Sequence, residues 1–220
     1  MSYQLEFEPI ASAAMENLGC LAPAEREYYL GLKVEKRRRE WLAGRVAAKR
    51  LVKKILDEID LPIQKTAAGI PFVQYRKECW PLSISHSGEW AVAAMSASQN
   101  PAPIGADIEK IEDRDPSWLD VAFHPSEMAT TLDAAGQTRL WTLKEAISKF
   151  FGIGLSIDLC DIRFSEGSRT PEFYGKTREI WETQGRPSIS LDSSFLFPGY
   201  VLSLAYAASP YGARKVIHEH

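Results

Sequence analysis

With 220 residues, 45% of them hydrophobic and 25% charged, the chain has the composition of a folded globular protein, long enough for one large domain or two packed lobes. No apolar run reaches the roughly 20 residues that span a bilayer, and Met1 to Ile10 lacks the basic and apolar regions of a secretion signal, so a cytoplasmic protein without a membrane partner is expected. Cys20, Cys79 and Cys160 are odd in number and far apart, which excludes a disulfide framework and a cysteine-held zinc site. The net charge is only −3, but it is segregated. Lys33 to Lys54 holds ten basic residues against two acidic ones, and Ile104 to Glu127 holds seven acidic against two basic. Such a chain can bind an anion with the first stretch and a metal cation with the second; two solvated faces fit the same counts.

Along the chain, the recurrence of Trp41, Ala48, Val52, Ile55 and Ile59 predicts one long helix from about Val34 to Asp60, stopped by Pro62. A loop through Gly69 and Pro71 follows. Leu82 to Ser85 and Trp90 to Ser96 then read as a hairpin around His86-Ser87-Gly88-Glu89. Asn100-Pro101-Ala102-Pro103 marks the best lobe boundary, giving an N-terminal lobe over 1–103 and a C-terminal lobe over 104–220. Ile104 to Glu109 reads as a strand that puts Asp107 and Glu109 on one face. Asp115 before Pro116 is a helix start, and a helix from about Gln137 to Phe151 carries the stripe Leu140, Leu143, Ile147, Phe150 and Phe151 before Gly152 and Gly154 end it. The remainder reads as β: Asp161 to Phe164, Pro171 to Tyr174, a polar stretch around Ile180 and Trp181, and Tyr200 to Ala207, with a frayed tail from Arg214. Both halves run helix then strands, which suggests a duplicated α+β lobe.

Three constellations can carry chemistry. Asp107 and Glu109 share a strand face, and Glu145 and Lys149 lie one helical turn apart; if the helix packs beside the strand, three carboxylates converge on a hard cation with Lys149 beside them. A surface i, i+4 pair and an exposed strand edge account for the same spacing. Ser83-Ile84-Ser85-His86-Ser87 offers hydroxyls and a histidine at a strand end, suited to phosphate oxygens or to a plain turn; no G-x-S-x-G elbow supports a serine nucleophile. The basic stretch from Lys36 to Arg39 with Arg45 could bind a polyanion. Tyr28, Tyr29 and Trp41 form no stacking pattern beside it and the whole chain is acidic, so nucleic acid is not the expected partner.

In order, Trp41-Leu42-Ala43-Gly44-Arg45, Gly69-Ile70-Pro71, Ser83-Ile84-Ser85-His86-Ser87, Gly105-Ala106-Asp107-Ile108-Glu109 and the run Trp141 to Lys149 resemble the phosphopantetheinyl transferase family of the surfactin-synthetase-activating type. The resemblance implies an α+β fold of two pseudo-symmetric lobes arising by internal duplication. Each would be a small antiparallel sheet packed with a long helix, with the active site in the cleft between them. It implies Mg²⁺, or Mn²⁺, held by Asp107, Glu109 and Glu145. Glu145 and Lys149 would be catalytic, and Arg37, Arg45, Lys65, Gly69, Pro71, Ser85 and His86 would bind coenzyme A as substrate. The implied partner is an apo acyl or peptidyl carrier protein. Both sides of the cleft lie in one chain, which predicts a monomer. Ile70 departs from the family's usual Lys or Arg and removes a cation. A non-catalytic coenzyme A or nucleotide-binding protein, and a nucleic-acid-binding module using Lys33 to Lys54, are the rival readings.

Overall fold

The computed structural model describes residues 2–13, 15–58, 61–97, 101–128, 132–153, 157–165, 168–208 and 214–215. Strand β1 (Ser2–Pro9) leads to α1 (Pro23–Gly31) and α2 (Glu35–Leu56), then to β2 (Gln64–Lys65), β3 (Pro71–Tyr75), β4 (Glu78–Ser87) and β5 (Trp90–Ser96). The second half holds β6 (Ile104–Lys110), α3 (Pro116–Ala122), α4 (Pro125–Met128), α5 (Ala134–Phe151), β7 (Ile162–Phe164), β8 (Pro171–Phe173), α6 (Gly175–Thr183), β9 (Ile189–Leu196), β10 (Tyr200–Ala207) and β11 (Arg214–Lys215). One sheet has the order β11-β1-β5-β4-β3-β2, a second the order β6-β10-β9, and β7 pairs β8. Pairing is antiparallel except where Ser2 and Tyr3 meet Arg214 and Lys215. The two-lobed α+β expectation holds: α2 lies on the first sheet and α5 on the second.

Several extents differ from the periodic reading. Helix α2 ends at Leu56, where Asp57 adopts a left-handed conformation (φ 57°) and its N–H caps the carbonyl of Lys53, before Pro62 is reached. Ile59 and Asp60, along with Asn100, Gly154 and the tail beyond Lys215, lie outside the described residues. The buried apolar residues of α2 are Leu42, Ala43, Val46, Ala47, Ala48, Leu51, Val52 and Leu56, so the expected Ala48 and Val52 are in the core and the stripe is wider than the expected one, because the helix packs on β5 and β1 while its flank meets the segment before it. Trp41 and Ile55 sit at the margins of that stripe. Helix α5 begins three residues before the expected Gln137, since the Asp133 carboxylate accepts from the Gly136 N–H at 2.8 Å, and Gly152 (φ 71°) ends it. Ile180 and Trp181, expected in a β segment, lie in α6, where Trp181 packs on Phe173 and Thr177 is fully buried. The first hairpin strand extends through Ser87, leaving Gly88–Glu89 as the turn.

Two features fix α5. Inside the fold, Lys144 and Glu127 form a fully buried ion pair at 2.5 Å. The Lys144 ammonium also donates to the Ala122 carbonyl at 3.0 Å, and the Glu127 carboxylate accepts from the His124 and Phe164 N–H groups, both at 2.9 Å. Two of the three ammonium protons and both carboxylate oxygens are used, which is the condition under which buried charge is tolerated. On the sheet side, a Cβ at Gly105 would stand 1.8 Å from the Ala146 carbonyl oxygen and 2.6 Å from the Phe150 nitrogen. Helix α5 therefore rides directly on the β6 backbone, and both obstructing atoms are main chain. Gly105→Ala is expected to push α5 off β6 and to lower the urea-unfolding free energy by about 2–3 kcal/mol; an unchanged midpoint would show that this contact does not hold the helix.

Candidate active site

The sheets meet edge to face through hydroxyls. Ser83, Ser85 and Ser87 share one face of β4 by the two-residue period. The Ser83 hydroxyl accepts from the Ala106 N–H at 2.8 Å, the Ser85 hydroxyl donates to Asp107 Oδ1 at 2.7 Å, and the Ser87 hydroxyl donates to Glu109 Oε2 at 2.7 Å. Helix α5, seated on Gly105, brings Lys149 to this seam. Its ammonium donates to Asp107 Oδ1 at 2.6 Å and to the Ala106 carbonyl at 3.2 Å. Asp107 is 3% exposed and its other oxygen, Oδ2, is buried without a partner.

Glu145 and Glu109 complete the acidic group. Burial, then repulsion from Asp107, pushes the Glu145 carboxyl up to about 7, with Lys149 partly offsetting and Glu109 adding. Burial and then Asp107 also raise Glu109, while Ser87 and Arg114 pull it down. Asp107 thus acts on both Glu109, with which it shares a strand face, and Glu145, one turn before Lys149 on α5. Among the described residues no set of three or more His, Cys, Asp or Glu side chains is gathered tightly enough to hold a metal ion as it stands. The donors nonetheless suit a hard divalent cation: all are carboxylates, Asp107 Oδ2 is a buried acceptor with nothing to accept from, and Mg²⁺ needs only one or two protein carboxylates alongside water and phosphate.

The opposite face of β4 presents Ile84 and His86 to a cavity of about 220 Å³ lined also by Arg37, Glu40, Trp41, Gly44, Arg45, Lys65, Gly69 and Pro71. A second cavity of about 170 Å³ shares Gly69, Pro71 and Ile84 with it and is bounded by Leu82, Ser83, Ile70, Gly152 and Lys149. Arg45 is 6% exposed, stacks over the Trp41 ring at 4.9 Å and stands 3.7 Å from Glu25, with Nη1 buried and unpartnered. Burial lowers Arg45 and, as the leading cause, lowers His86 as well, with Lys149 and Arg37 adding to the effect on His86. The lining of this cavity is thus net cationic, with Arg37, Arg45, Lys65 and His86 against Glu40, although Arg45 is shared with the buried Glu25. Much of the remaining charge of α2 is engaged within the chain: Lys49 with Glu25 at 2.8 Å, Lys54 with Glu6 at 3.8 Å, Arg50 with Glu8 and Arg39 with Glu35 at 2.9 Å.

Of the sequence-derived site residues, Arg37, Arg45, Lys65, Gly69, Pro71 and His86 line the first cavity. Lys149 borders the second and bonds Asp107, and Ser85, Asp107 and Glu109 lie at the seam on the other face of β4. The structure amends the sequence reading at two points. The Ser83–Ser87 run lies within a strand rather than a turn, and the Ser85 hydroxyl is bonded to Asp107. Ile70, in place of a cation, reaches the end of α5, where a Cβ at Gly152 would stand 2.2 Å from its Cδ1. Sequence reasoning missed Glu25 and Arg114, and it read Ser87 with the phosphate-binding run rather than as the partner of Glu109. Ser87 was legible, since it follows Ser85 at the step by which Glu109 follows Asp107. No local pattern marks the other two.

Fold and site together define a two-lobed α+β protein with a carboxylate cluster at the seam and a cation-lined cavity beside it. The model of the 4′-phosphopantetheinyl transferase N-terminal domain matches residues 25–96, and that of the 4′-phosphopantetheinyl transferase superfamily matches residues 103–204. Taken together these matches run through most of the chain, which belongs to the 4′-phosphopantetheinyl transferase superfamily. The 4′-phosphopantetheinyl transferase gsp of Aneurinibacillus migulanus is 27% identical over 165 residues, covering 70% of this chain and 64% of the relative. The 4′-phosphopantetheinyl transferase Sfp of Bacillus subtilis is 37% identical over 101 residues, covering 39% of this chain and 42% of the relative. The alignments thus span less than two thirds of either relative's length. The solved holo-ACP-synthase from Plasmodium yoelii overlays 48% of this chain and 93% of its own, at a TM-score of 0.41 and 22% identity. No helix among the described residues is long and apolar enough to cross a membrane.

The raised Glu145 carboxyl has a signed consequence for stability. Its ionisation is disfavoured in the folded chain, so the penalty is absent below the ordinary carboxylate range and fully developed above pH 7. Glu145→Gln should therefore come close to wild type near pH 4 and melt several degrees higher at pH 8, a rise from 4.5 to about 7 corresponding to at most about 3 kcal/mol. Millimolar Mg²⁺ should close that gap by stabilising wild type. A difference independent of pH would remove the electrostatic reading.

Proposed function

We propose that this protein transfers the 4′-phosphopantetheine arm of coenzyme A to a serine hydroxyl of an apo acyl or peptidyl carrier protein, releasing 3′,5′-ADP. It would act as a cytoplasmic monomer of the surfactin-synthetase-activating type, with lobes over 1–103 and 104–220. The observation that carries this reading is the buried Asp107 carboxylate at the seam, bonded to Ser85 and to Lys149, whose side chain borders a cavity that shares Gly69, Pro71 and Ile84 with the cation-lined one.

In this reading the cavity holds the nucleotide end of coenzyme A: Arg37, Arg45, Lys65 and His86 meet its phosphates, and the backbone of Gly69 to Pro71 borders the adenine. Ser85 acts by fixing Asp107. Asp107, Glu109 and Glu145 would hold Mg²⁺, or Mn²⁺ in its stead, which supplies charge neutralisation on the pyrophosphate. Lys149 adds a fixed positive charge where the leaving oxygen becomes anionic. The carrier serine oxygen bonds to the β-phosphorus, the bond from that phosphorus to the bridging oxygen breaks, and 3′,5′-ADP departs with the electron pair. The hydroxyl proton goes to Glu145, directly or through a water.

Incubation with coenzyme A, Mg²⁺ and a panel of apo carrier proteins, read by intact mass, tests this directly. A carrier should gain one phosphopantetheine arm, and Lys149→Ala should slow the gain by about 10²-fold or more. With Glu145 as base, the basic limb of the wild-type pH–rate profile should be absent in Glu145→Gln; an unchanged limb with a weaker Mg²⁺ dependence would leave Glu145 as a metal ligand alone. Binding of coenzyme A with no transfer to any carrier would favour a non-catalytic binding protein.

A further inference from the structure

Both strand carboxylates of the site are tethered in the same manner. Asp107 accepts at Oδ1 from a serine of β4, Ser85, and from a cation, Lys149, and its Oδ2 has no partner. Glu109 accepts at Oε2 from the next in-phase serine, Ser87, at 2.7 Å and from a second cation, Arg114, at 3.2 Å. No hydrogen bond to its Oε1 is made among the described residues. Arg114 lies in the short connection between β6 and α3 and is itself held: its guanidinium stacks over the Trp118 ring at 4.6 Å, and Trp118 packs on Trp141 of α5 with ring centroids 5.0 Å apart. Its Nε is buried without a partner, a cost of about 1–3 kcal/mol that a guanidinium free to reach solvent would avoid. The fork is therefore fixed against Glu109 by packing on two elements, and the Ser87 hydroxyl is oriented by the Lys110 N–H, which donates to it at 3.2 Å.

We propose that Arg114, together with Ser87, is a positioning residue that grips Glu109 by Oε2 and so presents Oε1 to the divalent cation of the proposed reaction. The inference rests on that reading of the acidic cluster. It carries a sign that simple electrostatics does not share. Removing a positive charge beside a cation site should tighten metal binding by Coulomb's law, whereas removing a clamp from a ligand should weaken it.

The test is a Mn²⁺ titration of the protein saturated with coenzyme A, with free Mn²⁺ counted by EPR and the melting temperature taken in parallel. Arg114→Met, which retains an apolar stem over Trp118, and Ser87→Ala should each weaken Mn²⁺ binding about tenfold. The double variant should lose little more than either single one, because both groups act on one oxygen. Arg114→Lys should recover part of the loss. Unchanged or tighter binding in both single variants would overturn the clamp while leaving the metal site standing. Should Arg114→Met fail to fold, Ser87→Ala alone decides between these outcomes. A wild-type protein that takes up coenzyme A but no Mn²⁺ would instead overturn the metal reading and the clamp with it.

Discussion

The organising constraint is the burial of the Asp107 carboxylate at the junction of two sheets and a helix. An isolated carboxylate at 3% exposure would be neutralised or expelled. It survives because Ser85 reaches it from the first sheet and Lys149 from α5, each within 2.7 Å. That arrangement requires α5 to lie against β6 closely enough for one lysine to span the gap, which the missing side chain at Gly105 permits. The contact between lobes and the chemistry of the site are thus the same set of bonds. A change that loosens the helix also releases the charge.

The rest of the electrostatics follows from that junction. Three acids meet two cations at the seam, so some carboxylate charge is left without a partner, and it surfaces as the raised Glu145 and the unbonded Oδ2 of Asp107. Across β4 the balance reverses, with Arg37, Arg45, Lys65 and His86 around a single glutamate. The alternation of strand side chains does the sorting: serines turn to the acids, Ile84 and His86 to the cations. A substrate that is anionic at one end and needs its diphosphate neutralised at the other fits both halves at once.

How much of this was legible depended on whether one element sufficed to specify it. The two-residue period of Asp107 and Glu109, the turn spacing of Glu145 and Lys149, and the helix stop at Gly152 are local, and they stand as read. The stripe of α2 was misjudged because that helix buries two flanks, which a one-sided periodicity does not describe. Ile180 and Trp181 read as β because β-branched and aromatic residues favour strands, yet packing of Trp181 against Phe173 and the burial of Thr177 selected a helix. Glu25, Glu127 and Arg114 were invisible since their partners lie elsewhere in the fold or carry no pattern. Glu127 meets Lys144 only after α3 and α4 have turned the chain back. Ion pairing of Lys49, Arg50 and Lys54 likewise depends on contacts with Glu25, Glu8 and Glu6, so the basic stretch looked freer in sequence than it is.

In the proposed reading Asp107, Glu109 and Glu145 hold one divalent cation next to a cavity that takes coenzyme A. Crystals grown with coenzyme A and Mn²⁺, examined by an anomalous difference map, address it most directly. A single strong peak bonded to carboxylate oxygens of this cluster and to the pyrophosphate, with the adenosine end beside Arg45 and His86, is the expected result. A bound nucleotide with no peak at these carboxylates, or with its phosphates away from Lys149, would contradict it.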